Sequence, residues 1–334
     1  MEKNSNGPLV SVVMIVYNQE VCVGRAIESV LAQRTNFTVE LLISDDCSTD
    51  STATVCRRYA ESNPAIKFVR NSQNKGLVRN YYDTIRRASG KYIADLAGDD
   101  YWTDPNKLQA QAELMEANPE VVLCHAAWRM ERCGEVICPT EFFMPSETRI
   151  ADGRELVLTF LNHQRKQWFV HLCTALYRQD AVLPLMKSYP QFFDDSLLPC
   201  EDLQLICLLA SSGRFAYLPQ PVLNYSVGQV TISSAENPAK TISFASRVIE
   251  LTMELTKALG YGYKDIAEYW QHDLNYIVAT AFRAKLFEFT GLFDSIIEKA
   301  SGQLRPTLKT RIALSLMRIP WLRSVFASLY VALK

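Results

Sequence analysis

The sequence predicts an α/β protein, a mostly parallel, Rossmann-like mixed sheet flanked by helices and followed by a helical C-terminal extension. Three observations carry this. Up to about residue 130 short apolar runs alternate with amphipathic segments, the rhythm of parallel strands joined by crossover helices. Acidic or polar clusters follow the strand-like runs, at the sheet edge where ligands of such folds bind. Beyond Ser234 the pattern turns helical almost to the end, punctuated by Pro238, Gly260 and Gly262.

Strands are expected at Leu9–Tyr17, Val39–Ile43, Ile66–Arg70 and Lys91–Leu96, with helices at Val21–Ala32, Ser51–Ser62, Val78–Ala88 and Pro105–Asn118 between and after them. A mixed stretch follows, with a strand at Val121–Arg129, a helix at Gly153–Asn162, a strand at Leu172–Tyr177 and a helix opened by Glu201 and Asp202. Residues 1–8 read as a tail, 9–234 as one large domain and 235–334 as the helical extension.

Lys plus Arg total 35 against 36 Asp plus Glu, so there is no global basic field for a nucleic-acid partner and no acidic block to keep the chain disordered. Nine cysteines, odd in number and without a Cys-x-x-Cys pair, argue against a disulfide framework or a zinc ribbon and suit a reducing cytoplasm. The opening residues lack the basic and apolar regions of a signal peptide, and Leu9–Tyr17 is too short to span a bilayer.

The first strand does not lead into a dinucleotide fingerprint. Where Gly-x-Gly-x-x-Gly would approach a pyrophosphate the chain reads "YNQEVCVG", and no Gly-Lys-Ser phosphate loop occurs, which removes hydride transfer and P-loop chemistry. The second strand ends in "SDDCSTDST". One of Ser48, Thr49 and Asp50 suits a helix cap, but Asp45 and Asp46 lie too early for that, and a carboxylate there suits a nucleobase N–H or ribose hydroxyl. Asp104 before Pro105 reads as an N-cap with proline at the first helical position. Asp99 and Asp100, at the tip of the fourth strand, repel each other unless donor hydroxyls or a cation divide their tasks. Mg²⁺ or Mn²⁺ shared with phosphate oxygens is the usual solution for such hard ligands. Arg79, at the start of a helix facing the same loops, suits phosphate or ribose oxygens, or else a solvated helix face. His125, His163, His171 and His272 have no metal-ligand spacing, and Cys124-His125 reads as core.

Taken in order, "SVVMIVYNQE", "LLISDDCSTDST", "RNSQNKGLVRNYYDTIRRASGKYIADLAGDDYWTDPNKLQAQ" and "CEDLQLICLLASSGRFAYLPQPVLNYSV" resemble the family 2 glycosyltransferases, inverting enzymes of the GT-A fold. The resemblance runs from about Leu9 to Ser234. It implies a nucleotide-binding half over 9–120 and an acceptor-binding half over 121–234. It places Tyr17 against the donor's base, Asp46 with Asp45 on base and ribose, Asp100 on the cation, and Asp99 on ribose or metal. Asp202 matches the catalytic base, which takes a proton from the acceptor hydroxyl as that oxygen attacks the anomeric carbon. The implied partners are a nucleotide-diphosphate sugar and a glycan or lipid-linked glycan acceptor, as in bacterial surface-polysaccharide assembly. Two positions depart from the pattern. Ala97 stands where many relatives carry a further aspartate, and Gly228 stands where many carry a histidine. These departures leave open a non-catalytic nucleotide-sugar or glycan-binding module on the same fold.

Residues 304–334 carry six basic residues and no acid, and Arg318, Pro320 and Arg323 interrupt the apolar run. A transmembrane helix is not expected. The segment suits a basic amphipathic helix on the inner, anionic face of a membrane, and equally a helix docked on the domain or a homodimer contact.

Overall fold

The computed structural model describes residues 9–132, 134–137, 145–162, 168–227 and 237–319. In chain order its elements are β1 (Val10–Val16), α1 (Val23–Leu31), β2 (Val39–Asp45), α2 (Thr52–Ser62), β3 (Ile66–Arg70), α3 (Leu77–Ile85), β4 (Tyr92–Asp95), β5 (Tyr101–Trp102), α4 (Lys107–Ala117), β6 (Val121–Arg132), β7 (Glu135–Ile137), β8 (Arg149–Asp152), α5 (Gly153–Leu161), β9 (Leu176–Arg178), α6 (Gln179–Ser188), α7 (Asp202–Ser212), β10 (Arg214–Val227), α8 (Pro238–Ala258), α9 (Ala267–Ala284), α10 (Thr290–Lys299) and α11 (Leu308–Arg318). The chain divides into two compact units, the first built on the sheet and the second on α8 to α11.

The sheet runs β3-β2-β1-β4-β9-β6-β10-β5, with β7 beside β6 and β8 beside β10. β1 pairs in parallel with both β2 and β4, and β2 with β3. β9 enters antiparallel between β4 and β6, whereas β6 and β10 are parallel to each other. "VSVVMIV" and "VELLISD" are buried almost throughout, as both-face-covered parallel strands of branched apolar residues should be.

At the amino edge of these strands Glu40 is a buried clamp. It accepts from Ser11 Oγ, the Ser89 backbone and hydroxyl, and Lys67. Burial alone would raise its pKa, but those donors hold the carboxyl down to about 2. Gly90 is required beside this clamp, because a Cβ there would stand 2.6 Å from Ser11 N.

The expected elements occur with ends shifted by a few residues, and the differences have local causes. The run Leu172–Tyr177 splits into a 3₁₀ turn at Leu172–Thr174 and the short β9. Asp104 does not cap α4, which starts at Lys107. Its carboxylate accepts from Asn106 N at 2.8 Å in a local turn, because the Asp104 and Pro105 carbonyls are tied to Gln33 and Arg34 at the end of α1. Asp50 does serve the start of α2, accepting from Thr52 N at 2.9 Å.

Beneath the loops the core holds a polar cluster. Tyr81 donates to Asp95 Oδ1 at 2.6 Å and Tyr177 lies at 3.4 Å, while Asp95 Oδ2 is buried without a hydrogen-bond partner among the described residues. Burial pushes the Asp95 carboxyl up to about 7 against those two hydroxyls, and pushes the nearby Lys107 down to about 7. Lys107 lies over the Trp102 ring and donates to Gln111.

In the second unit Asn237 caps α8, its side chain accepting from Ala239 N with Pro238 at the first helical position. Trp270 of α9 donates to Thr252 of α8 at 2.8 Å. α11 buries Thr310, Leu314 and Met317, and Arg318 pairs with Asp294 of α10. Residues 1–8 and the end of the basic tail, with Arg323 and Lys334, lie outside the described residues.

Because the folded Asp95 holds its proton to about pH 7 and an unfolded aspartate loses it near pH 4, this group's contribution to stability falls as pH rises through that window. Asp95→Asn removes the titration. Thermal melts from pH 4 to 8 should shift in favour of the variant, by up to ~1.4 kcal/mol per pH unit at the steepest. A constant difference across that range would contradict the assignment.

Candidate active site

The parallel strands β1, β2 and β4 deliver their loops to one edge, and those loops are laced together. Asn18 N donates to Ser48 Oγ at 2.9 Å, Thr49 N to Asn18 Oδ1 at 2.8 Å, Gln19 N to Thr52 Oγ1 at 2.7 Å and Ser51 N to Glu20 Oε2 at 2.8 Å. Asn18 and Cys47 adopt φ of 52° and 65°, so the chain turns sharply at the two points where these loops face each other. Gly98 closes the third side. A Cβ on it would come within 2.4 Å of Gln19 Oε1 and 2.7 Å of Val16 Cγ1.

The two carboxylates after β2 have different surroundings. Asp45 is fully buried, 3.2 Å from Arg70 Nε, and accepts from Ser48 N. Its carboxylate shapes the loop. Asp46 accepts from Asn71 Nδ2, Lys75 N and Gly76 N, each at 2.9 Å. It draws residues 71–76 over the edge and sets Gly76, at φ 82°, as the N-cap of α3. Asn80 completes this floor, accepting from Ser44 Oγ and Asn71 Nδ2. Tyr17, 48% exposed, stands at the end of β1 beside them. Arg79 turns instead toward Asp83, at 3.5 Å, and the Asp194 carbonyl, at 3.3 Å.

The pair after β4 is differently placed again. Asp100 is only 2% exposed, and its Oδ1 accepts from Ser226 N of β10 at 3.0 Å. Burial, and then the charge of Asp99, push its carboxyl up to about 8; burial also raises Asp99. A divalent cation would act in the opposite sense, favouring the ionised carboxylates that burial disfavours. Among the described residues no three acidic, His or Cys side chains are arranged to hold a metal by themselves. Two carboxylates do fit Mg²⁺ or Mn²⁺ when phosphate oxygens and water complete the shell. Asp202 is the first residue of α7, its Oδ1 2.8 Å from its neighbour Leu203 N, and Glu201 precedes it as N-cap. Burial and the Asp202 charge raise the Glu201 carboxyl.

Sequence reasoning missed the side chains that connect these acids. Arg25 of α1 lies over the Tyr101 ring at 4.0 Å, donates to Ser226 Oγ and acts on Asp100 as a neighbouring positive charge. Tyr225, on β10, has its hydroxyl pKa raised by burial and then by Asp100 and Asp99. His171 has its pKa lowered by burial to about 4, against the opposing charge of Asp202. The His171 and Tyr225 rings touch, 5.0 Å apart at their centroids. The charges of Asp100 and Asp99 thus act on Tyr225 and that of Asp202 on His171, the two rings of one aromatic contact. Gly228, the second departure from the family pattern, lies outside the described residues.

The sequence profile described as "Glycosyl transferase family 2" matches residues 11–182, just over half of the chain. The chain belongs to glycosyl transferase family 2. Among curated relatives, the Escherichia coli UDP-Glc:alpha-D-GlcNAc-diphosphoundecaprenol beta-1,3-glucosyltransferase WfgD is 38% identical over 110 residues, 33% of this chain and 42% of WfgD. The chain spans about a third of the length of the first curated relatives it matches. Among solved structures, S. aureus TarS 1-349 in complex with UDP-GlcNAc superposes with a TM-score of 0.65 at 17% identity, covering 92% of this chain and 87% of that one. The mannosyltransferase PcManGT from Pyrobaculum calidifontis, in complex with GDP-Man and Mn2+, gives 0.55 at 16% identity, covering 96% and 83%. These likenesses show the GT-A fold, with its helices after the sheet.

Replacing Asp46 by alanine removes the acceptor of Lys75 N and one of two acceptors each for Asn71 Nδ2, which keeps Asn80, and Gly76 N, which keeps Asn74. Urea unfolding should show a loss of about 2–3 kcal/mol. Amide exchange at Lys75 and Gly76 should accelerate more than exchange in β3, and an even change across the sheet would refute a clamp role.

Proposed function

We propose that this family 2 protein is an inverting, metal-dependent glycosyltransferase that moves a sugar from a nucleotide-diphosphate donor to a hydroxyl of a glycan or lipid-linked oligosaccharide, in cell-surface polysaccharide assembly. The observation that carries the reading is the adjacent carboxylates Asp99 and Asp100 after β4, Asp100 buried, with the charges of both acting on Tyr225, whose ring touches that of His171.

In this reading Tyr17 packs on the base, and the remaining Oδ2 lone pair of Asp46 is available to base or ribose. Asp45 acts through the shape of the loop. Arg79, half exposed, swings from Asp83 to the diphosphate, and Asp99 takes ribose or the cation's shell. Asp100 would hold the cation with Asp99; when bound, Mg²⁺ or Mn²⁺ supplies positive charge for the departing diphosphate. Asp202 removes the acceptor hydroxyl proton while that oxygen forms the new bond to the anomeric carbon. The bond to diphosphate breaks on the opposite face, which inverts the configuration.

A panel of UDP-, GDP- and dTDP-sugars, with and without Mn²⁺ or Mg²⁺, tests this by nucleoside-diphosphate release. One donor should turn over only with metal, and Asp202→Asn and Asp100→Ala should each lower the rate by ~10²–10⁴-fold. Donor binding without release across all acceptors would instead favour the non-catalytic module.

The helical extension bears on where this happens. No described helix is long and apolar enough to cross a membrane. α11 turns Leu308 and Ile312 outward at 69% and 51% exposure, with Lys309 and Arg311 exposed beside them. We propose that this face rests on an anionic bilayer, which suits a lipid-linked acceptor on the cytoplasmic side. At ~1 kcal/mol per basic residue near the surface, reversing both charges with Lys309→Glu and Arg311→Glu should lower binding to phosphatidylglycerol vesicles by at least tenfold. Release of nucleotide with a soluble acceptor should persist. Vesicle binding unchanged by the reversal would reject this surface.

A further inference from the structure

Four rings form a continuous wall at the site: Trp128 on β6, Phe169 and His171 ahead of β9, and Tyr225 on β10. The His171 ring lies 5.0 Å from Tyr225 and 5.1 Å from Trp128, and Trp128 lies 5.8 Å from Phe169 and 6.0 Å from Tyr225. The wall is not sealed into the core. Phe169, His171 and Tyr225 all keep part of their surface exposed. An apolar, partly open face, with the charge of Asp202 acting on its His171 and those of Asp100 and Asp99 on its Tyr225, suits the C–H face of a pyranose, whose hydroxyls then reach polar groups at its rim.

His171 is the polar group within that wall. Its Nδ1 is shut off from solvent and has no hydrogen-bond partner among the described residues. A buried N–H without an acceptor is rarer and costlier than a bare lone pair, so the ring proton belongs on Nε2. Burial keeps the ring neutral. Nε2–H is therefore a donor on the open side of the ring. The charge acting on His171 is that of Asp202, whereas Tyr225 feels Asp100 and Asp99, so in the proposed reaction the donor belongs with the acceptor.

We infer that His171 is a saccharide-recognition residue, its Nε2–H donating to a hydroxyl oxygen of an acceptor pyranose that lies on the Trp128–Tyr225 wall, beside the hydroxyl that Asp202 deprotonates. The inference deepens the glycosyl-transfer reading and rests on it for the identity of the acceptor end. His171 moves no proton in this assignment. It orients the acceptor ring and selects among hydroxyl configurations.

Two substitutions separate the parts of this role. His171→Phe keeps a ring in the wall and removes the donor, and His171→Gln places an amide N–H near the position of Nε2. The full chain, loaded with the donor that turns over and Mn²⁺, is given p-nitrophenyl pyranosides of glucose, galactose, mannose and N-acetylglucosamine as acceptor probes. Nucleotide release is measured with and without the probe, and probe binding by saturation-transfer NMR. In His171→Phe, kcat/KM for the preferred probe should fall about tenfold, the size of one hydrogen bond, with release to water within about twofold of wild type. His171→Gln should recover part of the loss. The melting temperature of His171→Phe should match or exceed wild type, since an unpartnered buried nitrogen is removed.

Equal losses in transfer and in release to water would overturn the assignment, as would an unchanged probe KM or the absence of saturation transfer from every probe to wild type. If wild type releases no nucleotide from any donor, yet a probe binds and His171→Phe abolishes that binding, the transferase reading falls while His171 stands as a saccharide ligand.

Discussion

The parallel pairing of β1 with both β2 and β4 is the constraint on which the rest depends. Three parallel strands must end at the same edge, so the loops after Val16, Asp45 and Asp95 have to share one small volume. They do so by side chains from one loop satisfying backbone N–H groups of the next, as Ser48, Asn18, Thr52 and Glu20 do. The left-handed residues Asn18 and Cys47 and the missing Cβ at Gly98 are consequences of that crowding. Opposite ends of the strands show opposite chemistry. At the amino edge Glu40 is saturated with donors and strongly acidic, whereas at the carboxyl edge burial and the charge of Asp99 raise Asp100 despite the Ser226 N–H, Cys173 and Arg25. The sheet is clamped at the first end and electrically incomplete at the second, and the incomplete end is where a cation and a diphosphate belong in the proposed reaction.

Much of the nucleotide half is legible in the sequence, for physical reasons that can be named. β1 and β2 are covered on both faces, so they read as unbroken branched apolar runs. Asp99 and Asp100 stand out because adjacent like charges at a strand tip have few structural uses. Asp45 and Asp46 look equivalent as letters, and only coordinates separate a carboxylate facing Arg70 from one that draws in residues 71–76.

The other half is less legible because its strands do not follow in sequence order. β9 is three residues long, antiparallel, and inserted between β4 and β6, so no simple alternation announces it. Pro184 interrupts the pattern of α6, and the two residues of β5 are defined by their partners Leu223 and Asn224. Trp128, His171 and Tyr225 are far apart in the chain. Each sits in an apolar context that, read alone, means packing, and it is the sheet order that brings the three rings together.

That clustering also explains why this sector carries so many unpartnered polar atoms. Both ring nitrogens of His125, the Tyr217 hydroxyl and Nδ1 of His171 are buried without hydrogen-bond partners among the described residues, and all lie on β6, β10 or the segment ahead of β9. Each such atom costs about 1–3 kcal/mol relative to an apolar group of the same shape. A chain selected only for stability would fill these positions with phenylalanine or leucine. The clamp around Glu40 and the saturated Asp46 show that the same sheet can satisfy buried polar groups where they hold structure. The His171 ring is partly open to solvent, and its unpartnered Nδ1 puts the proton on Nε2, where the proposed ligand accepts it, so the stability forgone at Nδ1 is the expected counterpart of recognition.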